Sequence, residues 1–177
     1  MSISEEEKAE LKSLARNAIE SVLFGKQDET VHISERLKEK GGAFVTIKKK
    51  GDLRGCIGYI QAALPIFKTV QEAAIQAAFH DPRFNRVDRK EWNDIDIEIS
   101  VLTPMKKIIG TGEIEVGIHG LYIKRGHYSG LLLPQVATEY NWDRMTFLEN
   151  VCYKAGLPRD AWKSKDTDIY IFSADVF

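Results

Sequence analysis

A few short segments recur in the same order in both halves of this chain, and that recurrence limits its fold more than any other feature. Ile47-Lys48, Gly55 and Asp96-Ile97-Glu98-Ile99 are followed about 75 residues later by Ile123-Lys124, Gly130 and Asp168-Ile169-Tyr170-Ile171. Between these anchors each half reads as two strands, a helix, a proline-containing loop and a further strand. Strands joined by tight turns and interrupted by single helices favour antiparallel pairing over a doubly wound parallel sheet. The expectation is an α+β fold: duplicated strand-strand-helix-strand repeats, about 43–104 and 113–177, sharing a mainly antiparallel, barrel-like sheet. Together with an N-terminal helix they would make one domain over residues 1–177.

Local signals fill in this plan. Ser4 and Glu7 form a capping box, in which hydroxyl and carboxylate satisfy the backbone donors that a helix start leaves free. Leu11, Leu14, Ala15, Ala18, Ile19, Val22 and Leu23 then recur at helical spacing, and Gly25 suits the left-handed stop. Residues 26–42 are polar, with a short helix starting at Ser34 and ending at Gly41-Gly42 as the one element suggested there. Ala43–Lys48 and Leu53–Tyr59 read as a hairpin around Lys49-Lys50-Gly51-Asp52. A helix opens at Pro65 and must end before Pro82, and Ile95–Leu102 alternates as a half-buried strand does. In the second half, Glu113–Ile118 and Leu121–Lys124 read as strands flanking His119-Gly120. Gly130–Val136 reads mostly as buried strand after the His127-Tyr128-Ser129 turn. A helix from about Asp143 stops at Gly156 and Pro158, and Asp168–Phe172 reads as the last strand.

Composition narrows the function classes. A chain of 177 residues can bury a core without a metal or disulfide staple. The net charge of −1 offers no basic footprint for nucleic acid or an anionic membrane. No run of about 18 apolar residues occurs, so no membrane-spanning segment is expected. The acidic start, Ser4-Glu5-Glu6-Glu7, does not read as a secretory signal, and the two cysteines, Cys56 and Cys152, suit a reducing compartment; a cytoplasmic protein is expected. There is no CxxC pair, and His32, His80, His119 and His127 lack zinc-ligand spacing, so no metal site is expected. No Gly-rich phosphate loop is present and no cofactor is implied.

The residues able to carry chemistry gather around Arg54-Gly55-Cys56. On a regular strand Arg54 and Cys56 point to one face, where a guanidinium would favour the nucleophilic thiolate. Leu53 and Ile57 would face the core. Gly55 and Gly58 leave room for a ligand or another backbone. The competing reading makes Cys56 a small buried hydrophobe, since the recurrence aligns it with Leu131 and Arg54 with Ser129. In His80-Asp81-Pro82-Arg83-Phe84, His80 could move protons and Arg83 could clamp an anion; alternatively Asp81 and Arg83 merely fix the loop. His119 is a candidate acid–base group or a turn residue. Gln135 is a polar amide in an apolar run that needs a partner. Trp142, Trp162 and Cys152 read as packing.

The motif Leu53-Arg54-Gly55-Cys56-Ile57-Gly58 resembles that of the AMME chromosomal region protein family, an AMMECR-type domain. The resemblance continues through Ala43-Phe44-Val45-Thr46, Asp81-Pro82-Arg83-Phe84 and Glu98–Pro104. Further matches are His119-Gly120-Leu121, Gly130–Val136, Trp142-Asp143 and Lys154-Ala155-Gly156-Leu157. It implies an α+β fold with two β-rich repeats sharing a barrel-like sheet, and a cleft lined by Arg54, Gly55, Cys56, Asp81, Arg83, His119 and Gln135. It also implies partners of the Memo or radical-SAM type, hence a modification or redox pathway, without naming a reaction. Two functions are carried forward: an enzyme or enzyme component centred on Cys56, and a non-catalytic binding or adaptor domain.

Overall fold

Two four-stranded antiparallel sheets, each with its own helices, make up the architecture seen in a computed structural model that describes residues 3–25, 33–60 and 63–177. The chain divides into two compact units, Met1–Leu102 with Asp175–Phe177, and Thr103–Ala174. The expected short helix after Ser34 is a 3-10 turn over Glu35–Lys38, and residues 26–32 of that polar stretch, with His32, lie outside the described residues.

In the first unit, helix α1 (Glu5–Phe24) begins with the expected capping box. Ser4 Oγ accepts from the Glu7 N–H at 3.2 Å, and the Glu7 carboxylate accepts from the Ser4 N–H at 2.8 Å. The helix ends at Gly25, whose φ of 70° is cheap only for a residue without a Cβ. Leu11, Leu14, Ala15, Ala18, Ile19 and Leu23 are buried, whereas Val22, expected on the same stripe, is 46% exposed. Strands β1 (Ala43–Lys49) and β2 (Asp52–Tyr59) form the hairpin, closed by Lys50 and Gly51 with φ of 53° and 91°. Two residues of positive φ match the twist of the flanking strands. Helix α2 (Ile66–Phe79) starts after Pro65 and lays Val70, Ala73, Ala74 and Ala77 on the sheet, with α1 packed beside it. Strand β3 (Ile95–Leu102) pairs with β1, and β8 (Ala174–Val176) joins β3, giving the order β2-β1-β3-β8. Strand β8 carried no signal in the sequence; it lies beyond the expected last strand.

In the second unit, β4 (Lys106–Lys107), β5 (Gly120–Arg125), β6 (Tyr128–Leu132) and β7 (Asp168–Phe172) form a sheet of order β4-β7-β5-β6. Helices α3 (Pro134–Glu139) and α4 (Arg144–Lys154) complete it, α4 starting at the Asp143 carboxylate, which accepts from the Thr146 N–H at 2.7 Å. Phe147, Leu148, Val151 and Cys152 from α4 are buried with Leu121, Ile123 and Ile171.

Three expectations need correction. There is no closed barrel among the described residues: the strands form two four-stranded sheets, each with two edge strands, β2 and β8 in one and β4 and β6 in the other. Glu113–Ile118 is a 3-10 turn and loop, because Gly117 with φ of 88° and the Ile118 N–H and His119 N–H bonds to the Glu115 carbonyl fold the backbone into a turn. Gly130–Val136 is not one strand: Pro134, with no N–H to give a ladder, ends β6 and opens α3. No helix among the described residues is long and apolar enough to cross a membrane.

Candidate functional site

Strand β2 lies at the edge of its sheet, so every second residue turns its N–H and C=O away from β1 with no strand to receive them. At Cys56 a loop supplies the missing partners. The Asp81 carboxylate accepts from the Cys56 N–H at 2.9 Å, and Arg83 Nη2 donates to the Cys56 carbonyl at 3.2 Å. Asp81 and Arg83 in turn grip each other through two parallel bonds, Nε to Oδ1 at 3.0 Å and Nη2 to Oδ2 at 2.7 Å, and the Arg83 N–H adds a third to Oδ1 at 3.1 Å. The Asp81 side chain is only 2% exposed, while that of Arg83 is 56% exposed. Pro82 between them ends the helical path of α2 and lets Asp81 turn back toward the strand.

These contacts fix the protonation states. The hydrogen bond from Arg83 holds the Asp81 carboxyl far below the usual carboxylate range; burial opposes it, and the Cys56 N–H and the Arg83 charge add to it. Arg83 is shifted upward, first by its bond to Asp81 and then, against burial, by the charges of Asp81 and Cys56. Arg83 is therefore a cation held on the backbone carbonyl of Cys56. The sulfur itself accepts from the Thr46 hydroxyl at 3.3 Å, Thr46 being its register partner across the hairpin.

Arg54 has another task. Lys48 pairs with Leu53 and Ile47 with Gly55, so Arg54 is the extra residue of a β-bulge and the alternation expected between Arg54 and Cys56 is broken. Its guanidinium meets Glu91, Nη2 to Oε1 at 2.7 Å and Nε to Oε2 at 3.3 Å, and donates to the carbonyls of Asn85 and Arg86. Lys49 Nζ reaches the same carboxylate at 2.8 Å. Burial alone would raise the Glu91 pKa, but bonds from Arg54, Lys49 and the Asp88 N–H bring it down to about 2. The bulge also turns Leu53 outward, 46% exposed, where a core position was expected.

The glycines of the motif serve close packing. A Cβ on Gly55 would run into the Ala77 carbonyl of α2, and one on Gly58 into the Phe44 ring. His80 ends α2 as an exposed C-cap residue one position before Asp81. Unit one thus brings together Arg54, Gly55, Cys56, Gly58, His80, Asp81 and Arg83, with Arg54 directed to Glu91. His119 and Gln135 belong to the second unit. His119 Nδ1 accepts from the Glu115 N–H at 3.1 Å, folding the side chain back on its own turn. Gln135 is half-buried on the first turn of α3, where its backbone carbonyl accepts from Thr138 Oγ1 at 2.8 Å. Cys152 is fully buried, and burial pushes its thiol upward. Among the described residues no three His, Cys, Asp or Glu side chains are grouped as metal ligands would be.

The AMMECR1 family model covers residues 12–177. The chain belongs to the AMMECR1 family. One family relative, from Methanopyrus kandleri, is 49% identical, over 93% of this chain and 84% of its own length. Another, from Methanothermobacter thermautotrophicus, is 44% identical and covers 99% and 95%. The crystal structure of an uncharacterized protein from Pyrococcus horikoshii superposes with a TM-score of 0.90 at 42% identity, over 98% of this chain and 92% of that one. Thr46, Glu91 and the bulge at Arg54 were missed by sequence reasoning.

Proposed function

We propose that the first unit carries a thiol-dependent centre at Cys56 and works as an enzyme or enzyme component in a modification or redox pathway. One observation carries this reading. Cys56 is partly exposed on an edge strand, yet its backbone N–H and C=O are both held by an Asp81–Arg83 pair whose guanidinium binds the carbonyl of the same residue. A positioned thiol with a neighbouring cation and a hydroxyl donor is equipped to act as a nucleophile. His80, exposed beside Asp81, is the group at hand for proton transfer. The family resemblance supports a partner of the Memo or radical-SAM type. Matching registers in the two sheets support reading the units as copies of one strand-strand-helix-strand plan.

The test uses the two cysteines of the folded protein with iodoacetamide. The Cys56 thiolate would attack the methylene carbon, an S–C bond forms, iodide leaves and the thiol proton goes to solvent. Cys56 is expected to be alkylated in the folded state while Cys152 reacts only after unfolding. Equal, slow alkylation of both would end the proposal.

The second reading, a non-catalytic adaptor, is favoured by the engagement of Arg54 with Glu91 and by Leu131 at the position answering Cys56. Cys56→Ser separates the two. Partner capture with activity retained supports the adaptor, and activity lost from a folded variant supports the centre.

A further inference from the structure

The Arg83 guanidinium is held in a way that leaves one edge of it available. Nε and Nη2 are directed inward to Asp81 and to the Cys56 carbonyl, whereas Nη1 bonds nothing among the described residues. The carboxylate that balances its charge is buried beneath it, at 2% exposure against 56%. Although the pair is neutral as a whole, an approaching molecule meets its positive end first. The guanidinium is also oriented in advance: two bonds to Asp81, with the Phe84 ring 5.3 Å away, fix the plane in which Nη1 presents its hydrogens to an acceptor. Arg86, exposed on the same loop with its head 5.4 Å from the Phe79 ring, adds positive charge to this stretch.

We propose that Arg83 is the anion-recognising group of the Cys56 centre, so that the substrate presents a carboxylate or phosphate oxygen to its Nη1 edge. This inference rests on the reading of Cys56 as a reactive thiol and names the class of substrate that reading leaves open. Arg54 cannot serve in this role, because its donors already meet Glu91 and two carbonyls.

The experiment compares how fast Cys56 in the folded full chain reacts with two aryl disulfides, dithiobis(nitrobenzoate), which is anionic, and dithiodipyridine, which is neutral. In each case the Cys56 thiolate displaces one aryl thiolate, forming a mixed disulfide and releasing the other half of the reagent. In the native protein the anionic reagent should lose at least about threefold of its rate relative to the neutral one as salt rises. Arg83→Gln should lower the same ratio by a similar factor at low salt, and Arg83→Lys should retain part of it. The salt series needs no variant, so a poorly folding Arg83→Gln leaves the test intact. At fixed ionic strength, slowing of the neutral reagent by inorganic phosphate and not by acetate assigns the phosphate; slowing by acetate assigns the carboxylate. Reaction with both reagents at a ratio indifferent to salt and to Arg83 overturns this inference alone. Reaction with neither overturns the Cys56 reading, and this inference falls with it.

Discussion

Strand β2 of the first unit and strand β6 of the second are each an edge strand paired with the first strand of a hairpin, and what surrounds them differs. Ile47 pairs with Gly55 and with Ile97; Ile123 pairs with Gly130 and with Ile169. Both glycines lie under helix backbone, Gly55 against the Ala77 carbonyl and Gly130 with the Ala155 nitrogen 2.7 Å from where a Cβ would stand. The next rung diverges. In the first sheet it is Thr46 with Cys56 and Glu98; in the second it is Tyr122 with Leu131 and Tyr170, whose two tyrosine rings lie 5.8 Å apart. The loops diverge too: α2 leads into Asp81-Pro82-Arg83, which returns to the strand, while α4 leads into Gly156, Leu157 and Pro158. The pairing around the two glycines is thus alike, while the next rung carries Thr46 and Cys56 in one sheet and Tyr122 and Leu131 in the other.

Substitution at the two glycines should have the largest effect and tests whether their close packing is alike. Gly55→Ala and Gly130→Ala should each destabilise by about 1–3 kcal/mol, because backbone rather than a flexible side chain blocks the new methyl. A silent Gly130→Ala in denaturant unfolding would break the correspondence. Next, Asp81→Ala should cost about 1–3 kcal/mol by leaving the Cys56 N–H and Arg83 without their acceptor. Urea midpoints would show it.

Acid sharpens the contrast further. Glu91 is held at about 2, below its ordinary 4.5, and Asp81 is also depressed. Their stabilisation is therefore complete above the ordinary carboxylate values and is lost as pH falls through the window from about 4.5 toward 2. Glu91→Gln should make that loss shallower, by on the order of 2 kcal/mol, when unfolding is followed against pH. The smallest effect is expected at Thr46: Thr46→Val should slow Cys56 alkylation about two- to fivefold, with Thr46→Ser restoring it. Unchanged rates in both would remove the hydroxyl from the account.

The sequence made the scaffold legible and the site only half so. Local rules reached α1 through Ser4 and Glu7, the β1–β2 turn through Gly51, and the end of α2 through Pro82, because each depends on backbone geometry near in the chain. Strand β8 escaped them, since its three residues gain their place from reciprocal bonds between Ile99 and Phe177. The bulge escaped as well. A regular hairpin count from Lys49 and Asp52 sets Thr46 opposite Gly55; the extra residue at Arg54 moves it to Cys56. Arg54 and Arg83 were both legible as cations, but which one binds the Cys56 backbone is decided by Glu91 and Asp81, partners 37 and 2 residues away.

Amide hydrogen exchange at Cys56 tests most directly whether the Asp81–Arg83 pair stands in for a missing strand. In the native protein the Cys56 N–H should exchange as slowly as that of Val45 inside the sheet, and Asp81→Ala should speed Cys56 far more than Val45. Equal acceleration of both amides, or fast exchange at Cys56 before any substitution, would contradict the account.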